Sequence, residues 1–395
     1  MKILFLAPFG IRPKGTVIAR MLPLAEVLQE LGQRVIIIAP PYTNPEDSGK
    51  SVVLRGVRLV NIRLSNAWKP AATLIMAWRM FRAATAEKPD IVHLFKPKGY
   101  GGLAAMLMIL LSGLGLRQPV VAVDTDDWEG EGGMNDLQGY STAERKVFAF
   151  QEQWLLQRAA AVTVASRALE EIVRQRASAN GRLLYLPNCV GDVVPGDGMA
   201  VRARYGIPAE APVVLLYTRF FEFEQDRLHS VFEGIYRMVP GVRFFVVGSG
   251  RNGEEQQLEV AARERGFSGA LTVAGWVNPE QIRDHLAAAD VAIYPFSDTL
   301  VNRCKCPAKL TELLLAGIPV VADRVGQIAE YLDGEKGGVL CQPGDAGAMV
   351  KGVVGLLSDR AARLQMGSFN RADIRERFDW NKKGCELAAL YQDIR

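Results

Sequence analysis

A chain of 395 residues is too long for one ordinary core, so two domains are expected. A formal net charge of +4 is too small to argue for nucleic acid as a partner, and 49% hydrophobic with 23% charged residues is the balance of a soluble globular protein. Five scattered cysteines and only three histidines make neither a disulfide framework nor a convincing metal site, which favours a reducing, cytoplasmic setting.

The apolar run from Lys2 to Pro8 is ended by Pro8 and Gly10, so it reads as a first strand rather than a secretory leader. A loop with Lys14, Gly15 and Thr16 follows, then a helix from about Thr16 to Leu31, a stop at Gly32 and a second buried strand, Arg34 to Pro40. This strand–helix–strand order predicts a parallel sheet covered by helices, with ligands at the carboxyl ends of the strands. The loop before Thr16 is therefore a candidate site, although a plain tight turn fits it equally.

Residues 51 to 67 alternate, as half-exposed strands do. From Ser51 to Val120 there are ten Lys or Arg against Glu87 and Asp90. Within this basic region Trp68, Trp78, Met80 and Phe81 mix with Lys69, Arg79 and Arg82. The mixture fits either a helix lying on an anionic membrane surface or a core-facing helix with a solvated basic face. Pro89 to Phe95 is another strand, containing His93 and followed by Lys96. Gly99 to Leu116 is uncharged and near the length of a membrane span, but its five glycines favour a buried helix.

The strand beginning near Gln118 ends in Asp124, Asp126 and Asp127, followed by Trp128, Glu129 and Glu131. Carboxylates accept from sugar hydroxyls and an indole covers the apolar side of a pyranose, so Asp126 or Asp127 is expected to contact a sugar. Helix, strand and helix follow from Ser141 to Val173, and Gly191 to Met199 reads as a linker.

The second half opens with a strand from Ala211 that ends at Arg219, and Arg227 is the next cation. Gly248-x-Gly250-x-x-Gly253 follows a strand and precedes a helix. Alone it is a dinucleotide fingerprint, yet the next strand, Leu271 to Val277, ends in no acid for an adenosine ribose. The stretch Cys304 to Asp323 organises the whole. Pro307 starts a helix ended by Gly317, and an apolar strand-like run, Ile318 to Ala322, follows. Free N–H groups of Ala308, Lys309 and Leu310 would point out of the helix start, where they can bind an anion. Glu312 lies one turn further in. A nucleoside diphosphate suits this pattern, with amides and lysines on phosphate and the carboxylate on ribose. An exposed helix glutamate is the plain alternative.

Lys-Leu-x-Glu-x-x-x-x-Gly-x-Pro-Val-Val-Ala, from Lys309 to Ala322, resembles the nucleotide-sugar site of the retaining GT-B glycosyltransferases, family 4, also called group 1. The resemblance implies two Rossmann-like, doubly wound α/β domains facing each other across a cleft. It implies domains at 1–192 and 193–372 and a closing helix at 373–395 that crosses back. It makes Glu312 the ribose ligand. Arg219 and Arg227 would meet the donor diphosphate, and both, with Lys309 and the helix start at Ala308, would offset leaving-group charge. Gly15, Gly248 and Gly250 would line the cleft, and Trp276 and Val277 would lie beside the base. Cys304 stands where the family usually has a second glutamate, and aspartates stand where many relatives carry a histidine. Asp124 to Asp126 is similar to the metal-binding Asp-x-Asp of the other large glycosyltransferase fold, but it falls in the wrong kind of domain, and GT-B enzymes generally need no metal.

The expected function is transfer of a sugar from a nucleotide-sugar donor, without a separate cofactor, to a saccharide, lipid-linked or small-molecule acceptor. Peripheral contact with an anionic membrane is open. Asp126, Asp127 and Arg219 are the expected catalytic set. A non-catalytic relative that binds a nucleotide or saccharide is the alternative.

Overall fold

The computed structural model describes residues 1–11, 15–176, 182–192 and 194–395. The expectation for Lys14 therefore falls outside the described residues. The chain divides into two compact units. The first comprises Met1–Asn188, Cys304–Cys306 and Trp380–Arg395, and the second comprises Cys189–Arg303 and Pro307–Asp379.

The first unit holds eight strands: β1 (Lys2–Leu6), β2 (Arg34–Ala39), β3 (Ser51–Leu54), β4 (Val57–Asn61), β5 (Ile91–Phe95), β6 (Val120–Thr125), β7 (Ala161–Val164) and β8 (Arg182–Tyr185). Their order in the sheet is β3-β4-β2-β1-β5-β6-β7-β8. All pairs are parallel except β3 and β4, which form a hairpin at Arg55 and Gly56, both with left-handed backbone. Strands β1, β2 and β5 are almost wholly apolar because helices cover both faces of the sheet. The winding reverses between β1 and β5, so the crevice at their carboxyl ends is where this topology offers a site.

The first helix departs from expectation in one detail. It opens with a wide π turn over Val17–Met21, in which the Leu22 N–H reaches Val17 O, and becomes an α-helix only at Leu22–Glu30. Pro23 has no N–H to donate backwards, so the regular bond to Ala19 is missing there. The apolar Gly99 segment is a helix over Gly99–Gly113, packed by Gly101, Gly102, Ala104, Ala105 and Met108 into the first core. No described helix is long and apolar enough to cross a membrane.

The second unit holds six parallel strands: β9 (Val213–Tyr217), β10 (Arg243–Val247), β11 (Leu271–Gly275), β12 (Val291–Tyr294), β13 (Val320–Asp323) and β14 (Gly338–Cys341). Their order is β11-β10-β9-β12-β13-β14, with the reversal between β9 and β12. Its core gathers Phe232, Phe244 and Phe267, with the rings of Phe232 and Phe244 stacked at 4.3 Å. Each such buried side chain contributes roughly 1.5–3 kcal/mol.

Candidate functional site

In the second unit the reversal point is furnished by three side chains. Tyr217 ends β9, and the helix Ala308–Ala316 brings Lys309 and Glu312 to it. The Lys309 ammonium sits 3.8 Å from the centre of the Tyr217 ring and also donates to Thr218 O at 3.2 Å. The Tyr217 hydroxyl donates to Glu312 Oε2 at 2.8 Å. Burial and then the Glu312 charge hold the Tyr217 phenol well above its ordinary pKa, so it stays a donor. Glu312 is half-buried and oriented, unlike a free surface glutamate.

The helix start needs one correction. Pro307 is the residue before the helix, and no side chain caps it. The Leu310 N–H is not free for an anion, because it donates to Pro307 O at 3.1 Å. The first turn closes on itself there, so Leu310 drops out of the three expected donors. The helix ends as expected at Gly317, in left-handed backbone.

Arg219 and Arg227 separate. β9 ends two residues before Arg219, whose side chain is exposed, 4.9 Å from the centre of the Phe221 ring and 3.8 Å from Glu222. It stands at the strand's carboxyl end with its guanidinium turned to solvent. Arg227 is engaged instead: its two terminal nitrogens grip Asp323 at 2.6 and 2.8 Å. Asp323 is fully buried at the end of β13 and also accepts from the Phe296 N–H at 2.8 Å. Arg227 thus neutralises a buried carboxylate and locks the helix Gln225–Met238 to the sheet.

The glycine loop is also occupied by the chain itself. Glu255 accepts from the Ser249 hydroxyl at 2.5 Å and the Gly250 N–H at 2.9 Å, and Glu254 accepts from the Asn252 N–H at 2.7 Å. Burial opposes these carboxylates, but their hydrogen bonds hold both below the usual pKa. Amides that would cradle a phosphate are already capped by two fixed negative charges. Gly248 is required for a different reason. Its backbone is left-handed, and a Cβ there would lie 1.8 Å from Thr218 O. It lets β10 approach the turn that carries Arg219. At the end of β11, Trp276 is exposed and Val277 is buried.

In the first unit the reversal point gathers charge. Lys96 follows β5 in left-handed backbone, rare for a non-glycine residue. Its ammonium pairs with Asp126 at 2.7 Å, Asp127 at 2.6 Å and Glu129 at 3.4 Å. Lys98 pairs with Glu129 at 2.7 Å and donates to Asn135 at 2.7 Å. Thr16, opening the first helix just after Gly15, donates to Asp126 at 3.1 Å. Burial opposes the Lys96 charge, but the carboxylates outweigh it and hold its pKa well above the ordinary value. Asp126 is pushed up, first by burial, because one ammonium serves several carboxylates. The cation these carboxylates surround is therefore a lysine. Among the described residues no three His, Cys, Asp or Glu side chains converge as metal ligands.

Asp124 plays another part. Arg20, fully buried, grips it at 2.6 and 2.8 Å, and Thr163 donates to it at 2.5 Å. His93 is buried beside this pair, 2.5 Å from the Tyr391 hydroxyl, and burial lowers its pKa to about 4. It is neutral and structural. Cys304 is fully buried in the first unit's core, its carbonyl accepting from Ser166 at 2.7 Å.

Sequence reasoning missed Tyr217, Arg20 and the bridging role of Lys96. The position of Tyr217, immediately before the Thr218-Arg219 turn, was the available signal.

Fold and sites together define a two-unit, doubly wound α/β protein with an aromatic, basic and acidic triad suited to a nucleotide at one reversal point. Comparison with known proteins gives the same class. The Glycosyl transferase 4-like domain model matches residues 15–189, and the Glycosyl transferases group 1 model matches residues 211–359. The chain is 29% identical over 174 residues to a lipopolysaccharide core biosynthesis glycosyltransferase of Rhizobium meliloti, covering 43% of this chain and 48% of that protein. It is 24% identical over 221 residues to a 2-deoxystreptamine glucosyltransferase of Streptomyces kanamyceticus, covering 54% and 55%. The chain thus spans about half the length of these two relatives. A phosphatidyl-myo-inositol mannosyltransferase of Mycolicibacterium smegmatis is 23% identical over 398 residues, covering 100% of this chain and 94% of that one. Among solved structures, sucrose-phosphate synthase from Thermosynechococcus elongatus superposes with a TM-score of 0.77 at 19% identity, covering 100% and 98%. Anabaena HepE, in complex with UDP and glucose, gives 0.73 at 18% identity over 100% of both chains. The chain belongs to the group 1 glycosyltransferases, and its fold is that of the GT-B enzymes.

Proposed function

We propose that this protein transfers a sugar, with retention of configuration, from a nucleoside-diphosphate donor held by the second unit to an acceptor hydroxyl recognised by the first. The observation that carries this is the Tyr217–Lys309–Glu312 arrangement at the second reversal point. Glu312 is presented by a hydrogen bond from Tyr217 and keeps acceptor capacity for the two ribose hydroxyls. The Lys309 ammonium, the positive end of the helix that starts at Ala308 and the exposed Arg219 supply positive charge for the pyrophosphate as the leaving nucleotide develops its own charge. Trp276 and Val277 serve as donor-side contacts in this reading. Gly248 shapes the adjoining turn, while Gly250 and Arg227 act on structure rather than on phosphate. No separate cofactor or metal is required. A relative's solved complex with UDP and glucose supports the donor class.

The acceptor is a saccharide or lipid-linked saccharide, with Asp126 and Asp127 accepting from its hydroxyls. Support for the lipid-linked form comes from the surface of the first unit. Trp68 and, in the helix Lys69–Ala86, Leu74, Trp78 and Arg82 are exposed, as are Leu110 of the neighbouring apolar helix and Leu114 just after it, while Lys69 pairs with Glu144 at 2.6 Å. Such a face suits an anionic membrane surface.

A thermal-shift screen of UDP, GDP, ADP and their sugars tests the donor assignment, because a bound ligand raises stability by mass action. A shift with one base, and release of that nucleotide from its sugar when acceptor is added, are expected. No shift with any of them overturns the reading. Co-sedimentation with anionic vesicles at low salt, lost in Trp78→Ser, tests the membrane surface.

A further inference from the structure

A cavity of the second unit adjoins the nucleotide site and shares Glu312 with it. It has a volume of about 780 Å³ and is lined by residues at the amino ends of β12 and β13, Asp290 and Pro319 among them. Glu312 lines the cavity as well, whereas Tyr217 and Arg219 stand at the carboxyl end of β9. That volume falls within the range of small-molecule sites, roughly 300–1,000 Å³.

Its chemistry is uneven. Four arginines, Arg283, Arg360, Arg363 and Arg371, contribute to the lining, and Ile282, Leu286 and Leu315 supply an apolar wall. Two of the guanidiniums are fixed through single nitrogens. Arg363 Nη1 donates to the carbonyls of Leu356 and Leu357, both at 2.7 Å, and Arg371 Nη1 donates to Ala316 O at 3.1 Å. The place of Arg371 depends on Gly317, since a Cβ there would lie 2.6 Å from the guanidinium carbon. Among the described residues no hydrogen bond or ion pair engages Arg360. The two carboxylates of the lining each accept a hydrogen bond from within the chain. Asp290 accepts from Arg202 at 3.0 Å and from the Val213 N–H at 2.8 Å, and Glu312 accepts from Tyr217 at 2.8 Å. Arg283 lies 3.7 Å from Asp284. The Arg360 guanidinium and the second terminal nitrogens of Arg363 and Arg371 therefore face a space with an apolar wall, the pattern that grips a phosphate group and covers what it is attached to.

We propose that this cavity is a second ligand site, for a small organic phosphate whose apolar body lies against Ile282, Leu286 and Leu315. It shares Glu312 with the donor site, but its phosphate contacts come from arginines that the donor assignment does not use.

The test uses the full chain and isothermal titration with 1-naphthyl phosphate and inorganic phosphate. The naphthyl ester is expected to bind more tightly than inorganic phosphate. Arg360→Gln and Arg283→Gln should each weaken it about tenfold or more, the scale of one lost charged hydrogen bond. Arg360 is exposed and without a partner, so its replacement spares the fold. Lys309→Ala, at the donor site, and Arg55→Gln, a surface arginine of the first unit, should leave this binding unchanged. Wild-type affinity in both cavity variants overturns the proposal. So does loss of binding in Lys309→Ala, equal weakening in Arg55→Gln, or inorganic phosphate binding as tightly as the ester.

Discussion

The hydroxyl of Tyr217 donates to Glu312 at 2.8 Å, so the carboxylate is oriented before any ligand arrives. Glu312→Ala should weaken donor binding by about tenfold to a hundredfold, since a hydrogen bond to a charged group is worth roughly 1.5–3 kcal/mol. Tyr217→Phe keeps the carboxylate but frees it, and a smaller, severalfold loss is expected. Calorimetric titration with the preferred nucleotide reads both, and unchanged affinity in Glu312→Ala would remove the ribose role.

Arg227 and Arg219 should part company in a stability measurement. Arg227→Ala leaves Asp323 buried and unpaired, which costs about 3–5 kcal/mol of folding stability. Arg219→Ala removes an exposed side chain and should leave the urea midpoint nearly unchanged while weakening donor binding. If instead Arg227→Ala folds as stably as the wild type and loses only donor affinity, its pair with Asp323 is not its main task.

At the other reversal point, Asp126→Asn and Asp127→Asn keep shape but remove charge beside Lys96. Each should lower acceptor kcat/KM by about tenfold or more, the scale of a lost charged hydrogen bond, with donor affinity intact. Steady-state kinetics with varied acceptor check this, with circular dichroism as the control on folding. Normal turnover in both variants would take these carboxylates out of acceptor recognition.

Glu152 gives a pH signature. Burial, then the nearby Glu129 charge, push its pKa from 4.5 to about 8. The folded chain therefore holds a proton that the unfolded chain has released. The stabilising contribution is whole below pH 4.5 and fades as pH rises towards 8. The window corresponds to a few kcal/mol, at roughly 1.4 kcal/mol per pKa unit. Glu152→Gln should flatten this part of the profile and gain on the wild type above pH 8 in urea unfolding. Parallel profiles for the two proteins would show that Glu152 titrates normally.

Strands such as Lys2–Leu6 and Arg34–Ala39 were legible because a parallel sheet covered on both faces demands continuous apolar runs. The helix ending at Gly317 was legible because local chemistry fixes a left-handed stop. Pairings between distant residues were not. Nothing near Arg227 in sequence announces Asp323, and nothing near Arg20 announces Asp124, since each pair meets only when the sheet forms. The glycine loop misled for a subtler reason. Its spacing speaks of phosphate, but Glu254 and Glu255, the two residues after Gly253, fold back onto the very amides a phosphate would need.

The helix Trp380–Ile394 belongs to the first unit, where Gly384 lies so close to Val27 that a Cβ would meet it at 2.3 Å, and Tyr391 reaches His93. On the ribosome, the strands of that unit emerge long before this helix exists. They must wait, with the Val27 side of the first helix and the His93 imidazole still uncovered, while the whole second unit is synthesised. An expression boundary set at residue 359, where the second family match stops, would leave that wait permanent and yield a chain prone to aggregate.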